Sequence, residues 1–157
     1  MAATHQFSES NGAGETVTDG ISNANFGNND SPNLNTTTYP ITRGNASFEK
    51  YHRSKFSGTF TEISNIKFWK SAGAYVTGES CKAAFDVAYA QPSQTPNADS
   101  DVPVAEPGTH NVHAADGSDT IVAPGYTKYW RLQLQTTDST PAGAVNTKTF
   151  TLQYDEV

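Results

Sequence analysis

Apolar and polar residues alternate with a period of two along much of the chain. In CKAAFDVAYA (81–90), Phe85, Val87 and Tyr89 share one side, and Ala84, Asp86 and Ala88 the other. Further on, Trp130, Leu132 and Leu134 oppose Tyr129, Arg131 and Gln133; near the C-terminal end, Phe150, Leu152 and Tyr154 oppose Thr149, Thr151 and Gln153. SFEKYHRSKF (47–56) and FTEISNIKFWK (60–70) carry the same rhythm, with Phe48, Phe56, Ile66 and Phe68 as apolar positions. This is the period of a strand with one face on a core. A shorter strand or hairpin arm is expected around Tyr75 and Val76, turned by Gly73 and Gly78. No stretch sustains the 3.6-residue period of an amphipathic helix, so little or no helix is expected.

Turn signals punctuate these runs. QPSQTPNADSDVPVAEPG (91–108) contains four prolines and reads as a loop, with an edge segment at Val102–Val104. An Asp-Gly turn is expected at Asp116–Gly117. About seven strands between residues 46 and 157 predict an all-β fold, an antiparallel immunoglobulin-like or jelly-roll β-sandwich. The two long strands near the C-terminal end are expected to pair with each other at the centre of a sheet. The expected core is Phe56, Ile66, Phe68, Phe85, Val87, Trp130, Leu132, Leu134, Phe150 and Leu152.

Residues 1–45 differ in texture. They are rich in Asn, Gly and Thr, and their apolar residues are scattered: Val17, Ile21, Phe26, Leu34, Tyr39 and Ile41. Such a segment buries too little to fold alone. Spaced apolar residues suit an extended arm whose side chains drop into pockets on a neighbour, and an arm of this length would span on the order of 150 Å. The alternative is a flexible tail followed by a first strand or two. The expected division is therefore an extended N-terminal arm over 1–45 and a β-sandwich domain over 46–157.

Composition narrows the partners. The chain has 157 residues, 17% of them charged, with a formal net charge of −6. Without a basic patch, neither nucleic acid nor an anionic membrane surface is an expected partner. One cysteine, Cys81, excludes an internal disulfide framework. The first residues, MAATHQFSES, lack the basic and apolar regions of a signal peptide.

Candidate chemistry is sparse. His110 and His113 in HNVH suggest a metal pair, but on a strand residues three apart face opposite ways, and no third ligand follows at a zinc spacing. Asp99 and Asp101 alternate as calcium ligands do, without the glutamate that closes an EF-hand loop. No Gly-x-Ser-x-Gly elbow, phosphate loop or paired carboxylates stand out. No catalytic, cofactor-binding or metal residues are assigned, no cofactor is expected, and the chain does not read as an enzyme. Trp69, Tyr75, Tyr126 and Tyr129 remain as outward aromatics. Clustered, they would stack on sugars or bury in an interface; dispersed, they steady the sheets.

The phrases SNIKFWKSAGAYVTGE, APGYTKYWRLQLQTT and FTLQYDE, with FSESNGAGETVTDGISNANFG and GNASFEKYHRSKFSG, cover most of the chain. In texture the chain resembles small virion structural proteins of tailed bacteriophages. That resemblance implies a sandwich on the phage particle, on the outer surface of the capsid. There, decoration (cement) proteins bind the major capsid protein, or copies of themselves, and clamp neighbouring subunits. It implies synthesis in the host bacterial cytoplasm and residence in the virion, and transfers no individual residues. The expected contact residues are Val17, Ile21, Phe26, Leu34, Tyr39, Trp69 and Tyr75. The competing expectation is a phage tail or fibre protein, or a receptor- or carbohydrate-binding sandwich.

Overall fold

A computed structural model describes residues 2–143 and 146–157 of the chain. Among these, nine strands and no helix are found: β1 (Ala3–Asn11), β2 (Thr16–Asp19), β3 (Lys50–Gly58), β4 (Ile63–Ala72), β5 (Glu79–Val87), β6 (Ser100–Asp101), β7 (Gly125–Tyr126), β8 (Tyr129–Thr136) and β9 (Thr149–Glu156). They form a sandwich of two antiparallel sheets. The larger runs β2-β1-β3-β8-β5-β6, with β7 also on β3; the smaller is the ribbon β4-β9.

Alternation fixes which side chains meet in the middle. In the larger sheet, His52 lies opposite Trp130, and Leu132 and Leu134 lie opposite Ala83 and Cys81. Phe56, Trp130, Leu132, Leu134, Cys81 and Ala83 are buried together with Ile66 and Phe68 of β4. Phe150, Leu152 and Tyr154 of β9 pack against this cluster and stay half-buried. Phe68 joins the layers, stacking on Phe150 at 5.7 Å and lying 4.9 Å from Trp130. Of the expected core, Val87 lies at the margin, just past a bulge.

Several expectations are corrected. First, β8 and β9 do not pair. Both edges of β8 are taken by β3 and β5, and β9 pairs with β4 in the opposite layer. Their apolar faces meet across the core, and alternation alone does not separate that arrangement from adjacency in one sheet.

Second, most of the segment expected to be an arm is built into the body; Met1 lies outside the described residues. β1 pairs along its length with β3, from Ala3↔Gly58 to Ser10↔Tyr51, and carries β2 on its other side. Ile21 and Leu34 are buried, and the amides of Gly20 and Ile21 donate to the Phe7 carbonyl. β1 escapes detection because its inward positions include His5 and Glu9, so its apolar signal reduces to Phe7 and Ala3. The body therefore begins near residue 3, and Ile21 and Leu34 serve the chain's own interior rather than a neighbour.

Third, the alternation of 81–90 breaks. Asp86 takes a left-handed φ of 56°, and the β5–β8 register shifts between Ala84 and Val87. Beyond that bulge Tyr89 lies on the outer face of the large sheet, 5.1 Å from the Tyr51 ring, while Phe85 packs on Phe68 inside. The expected short strand at Tyr75 and Val76 is an irregular connection. The edge segment near Val102 is β6, two residues earlier than expected.

The proline-rich loop has a structural task. Arg131 on the outer face forks onto Asp99 at 2.9 and 2.7 Å, and Gln133 donates to the Thr95 and Ser47 carbonyls, both at 3.0 Å. The loop thus covers a face that would otherwise be solvated, and Gln133 is fully buried beneath it.

Candidate functional site

The two layers are unequal, and the gap between them forms a concavity. A cleft of about 920 Å³ opens beside the start of β9. Phe7, His52, Trp130, Leu132 and Leu134 floor it from the large sheet, with Phe68 and Phe150 on the ribbon side. Its rim comes from residues 21–26, 36–43, 140–143 and 146–149. The walls are mostly apolar, but two buried ring nitrogens enter the lining. Among the described residues, neither Nε2 of His52 nor Nε1 of Trp130 has a hydrogen-bond partner. Burial, with a contribution from Lys50, pushes the His52 imidazole down to about 3, and the ring hydrogen-bonds to the Ser8 backbone. His52 is therefore neutral at ordinary pH. With one nitrogen donating to a carbonyl, the other presents a lone pair. Trp130 offers an N–H.

Beside the cleft lies an open strand edge. Among the described residues no strand pairs with the side of β9 away from β4. The free edge of β4 is treated differently. Asn111 runs alongside it, its Oδ1 accepting from the Phe68 amide at 2.8 Å and its Nδ2 donating to the Phe68 carbonyl at 2.9 Å. The β4 edge is thus closed by the Asn111 amide together with backbone bonds to Ile121 and Pro103, and among the described residues the β9 edge remains available.

The expected contact residues divide between interior and surface. Ile21 and Leu34 are buried in the fold, Phe26 lies on the cleft rim 6.4 Å from Phe150, and Val17 and Tyr39 are exposed. Trp69 is on the outer face of the ribbon, opposite Thr151. Tyr75 sits between Lys70 and Lys148, at 4.9 and 5.5 Å from their ammonium groups. Tyr126 and Tyr129 share Arg53 on the outer face of the large sheet, at 3.9 and 4.7 Å. Trp69 and Tyr75 therefore stand apart, whereas Tyr126 and Tyr129 meet at Arg53, with Tyr129 buried against Tyr51 and Tyr89.

HNVH is not part of a strand, and its two rings are not on opposite faces. They meet edge-on at 4.8 Å. The turn at Ala114–Gly117, closed by Gly117 N–H to the Ala114 carbonyl at 2.8 Å, brings Asp119 back to them. Asp119 Oδ1 lies 3.4 Å from Nε2 of both His110 and His113. The sequence signal for the two histidines was visible; the third member is supplied by the turn. The acidic residues once compared with calcium ligands are engaged elsewhere, Asp99 by Arg131 and Asp101 by Lys82. Cys81 is buried, and burial pushes its thiol up to about 12, the opposite of what a nucleophilic thiol needs.

No family model, no curated protein and no solved structure matches this chain.

Proposed function

We propose that this chain is a structural protein of a tailed-bacteriophage particle, a decoration protein that binds the outer surface of the head and stabilises neighbouring capsid subunits. The observation that carries the reading is the incomplete second layer: a two-stranded ribbon with a free eight-residue edge at β9, next to an apolar cleft. An unpaired edge is a template for another chain, and proteins that do not use such edges blunt them. The half-buried flanks of Phe150, Leu152 and Tyr154 give an added strand apolar surface to cover. The net charge of −6 favours a surface that stays clear of polyanions. The texture shared with small virion proteins points the same way.

Heads of the phage that carries this chain, prepared without it, provide the test. Purified chain should cosediment with them and raise their melting temperature. Aspartates at the exposed rim positions Thr147 and Thr149 should weaken binding at least tenfold and leave the free chain's own melting temperature unchanged. Unaltered chain that stays in the supernatant over such heads would remove the proposal.

A further inference from the structure

His113 is held from two sides. Its backbone N–H donates to Asp86 Oδ1 at 3.1 Å, and its ring Nδ1 lies 2.5 Å from Asp86 Oδ2. A carboxylate only accepts, so Nδ1 carries a proton, and the tautomer that can bind a metal has its lone pair on Nε2. Nε2 of His113 faces Asp119 Oδ1 at 3.4 Å, and Nε2 of His110 faces the same oxygen at the same distance. All three atoms lie within 4.8 Å of one another. Lone pairs gathered this closely repel unless a positive charge sits among them.

The spacing suits a metal ion. Zinc holds imidazole nitrogen and carboxylate oxygen at about 2.0–2.1 Å in a tetrahedron, whose ligand atoms are then about 3.4 Å apart. Two histidines and one carboxylate leave a fourth position to solvent. A carboxylate on the far nitrogen of a ligating histidine is the usual outer support, fixing tautomer and ring orientation. Asp86 occupies that place, delivered by the left-handed bulge in β5. The side chains of His110 and His113 are 30% and 27% exposed, so an ion can enter from solvent.

We propose that His110, His113 and Asp119 form a binding site for a divalent transition-metal ion of the zinc class, with Asp86 as the positioning residue for His113. Bound there, the ion would close the 110–119 loop on itself, and the His113–Asp86 contact would anchor that loop to β5. The site is separate from the cleft and from the β9 edge, and does not rest on the proposed role in a virion.

The test uses the full chain, stripped with a chelator and titrated with cobalt(II) and with zinc. One cobalt ion per chain should bind with a visible ligand-field absorption, and zinc should displace it. In NMR spectra, zinc should shift the ring resonances of His110 and His113 and leave those of His5 and His52 in place. His113→Ala and Asp119→Asn should each weaken binding more than tenfold, and Asp86→Asn by about tenfold. Binding that is unchanged in His113→Ala, or zinc that moves neither ring, overturns the site and leaves a proton-bridged ion-pair cluster only. Ring mapping on the unaltered chain decides the matter even if a variant fails to fold.

Discussion

Lys50 and Glu9 show how a single residue pair can hide a strand. Both side chains are fully buried, with Nζ 2.8 Å from Oε1. Lys50 also donates to the Ser31 carbonyl at 2.8 Å, and Asn11 donates to Glu9 at 2.9 Å, while Glu9 Oε2 has no partner among the described residues. Burial pushes the Glu9 carboxyl up, and Lys50 holds it back. Removing one partner strands the other. Lys50→Met should therefore cost about 3–5 kcal/mol in chemical denaturation, and Glu9→Leu combined with Lys50→Met should recover most of that loss. A double variant as unstable as the single one would show that the pair contributes more than its own compensation. In sequence these residues look like a solvated face. Only the pairing of Glu9 with His52, a residue that faces Trp130, reveals that they point inward.

At the scale of elements, the ribbon depends on a side chain that imitates a strand. Asn111 satisfies the Phe68 amide and carbonyl together, and the Asn111 backbone donates to the Ile66 carbonyl at 3.1 Å. Asn111→Ala leaves the Phe68 groups without those partners, and should cost about 2 kcal/mol. Native-state hydrogen exchange should show the Phe68 amide losing protection selectively, with amides of β1 and β3 little changed. Uniform loss across both sheets would argue against a local role. The strands themselves were legible: β3, β4, β5, β8 and β9 each coincide with an alternating run. Their partners were not. β8 and β9 have equivalent patterns, and alternation reports which face is apolar without reporting which layer a strand joins. The same blindness covered the metal candidate: HNVH was readable, but Asp86 and Asp119 reach it through a bulge and a turn.

For the whole molecule, the interior histidine couples stability to pH. His52 titrates near 3 in the folded chain because burial disfavours its charge, against an ordinary value of 6.5. Between those values the unfolded chain binds more protons than the native one. Stability is therefore fully present above about pH 6.5 and falls by up to about 1.4 kcal/mol per pH unit below it. His5, also lowered by burial, acts in the same sense. Glu9, raised by burial, acts in the opposite sense and offsets part of the loss. Denaturation curves from pH 7 to 5 should show the decline, and His52→Phe should flatten it. A slope unchanged in His52→Phe would place the proton uptake elsewhere.

The sequence by itself determined the all-β class, the main strands and the central buried residues Phe56, Ile66, Phe68, Trp130, Leu132 and Leu134, because a period of two and its turn residues are local properties of the chain. The tertiary structure alone decided that residues 3–11 are an inner strand, that β8 and β9 face each other across the layers, and that His110, His113 and Asp119 converge. Each of these depends on contacts between residues distant in sequence. There a polar side chain can be buried once a partner from another strand compensates it, and that partner leaves no mark on the local pattern.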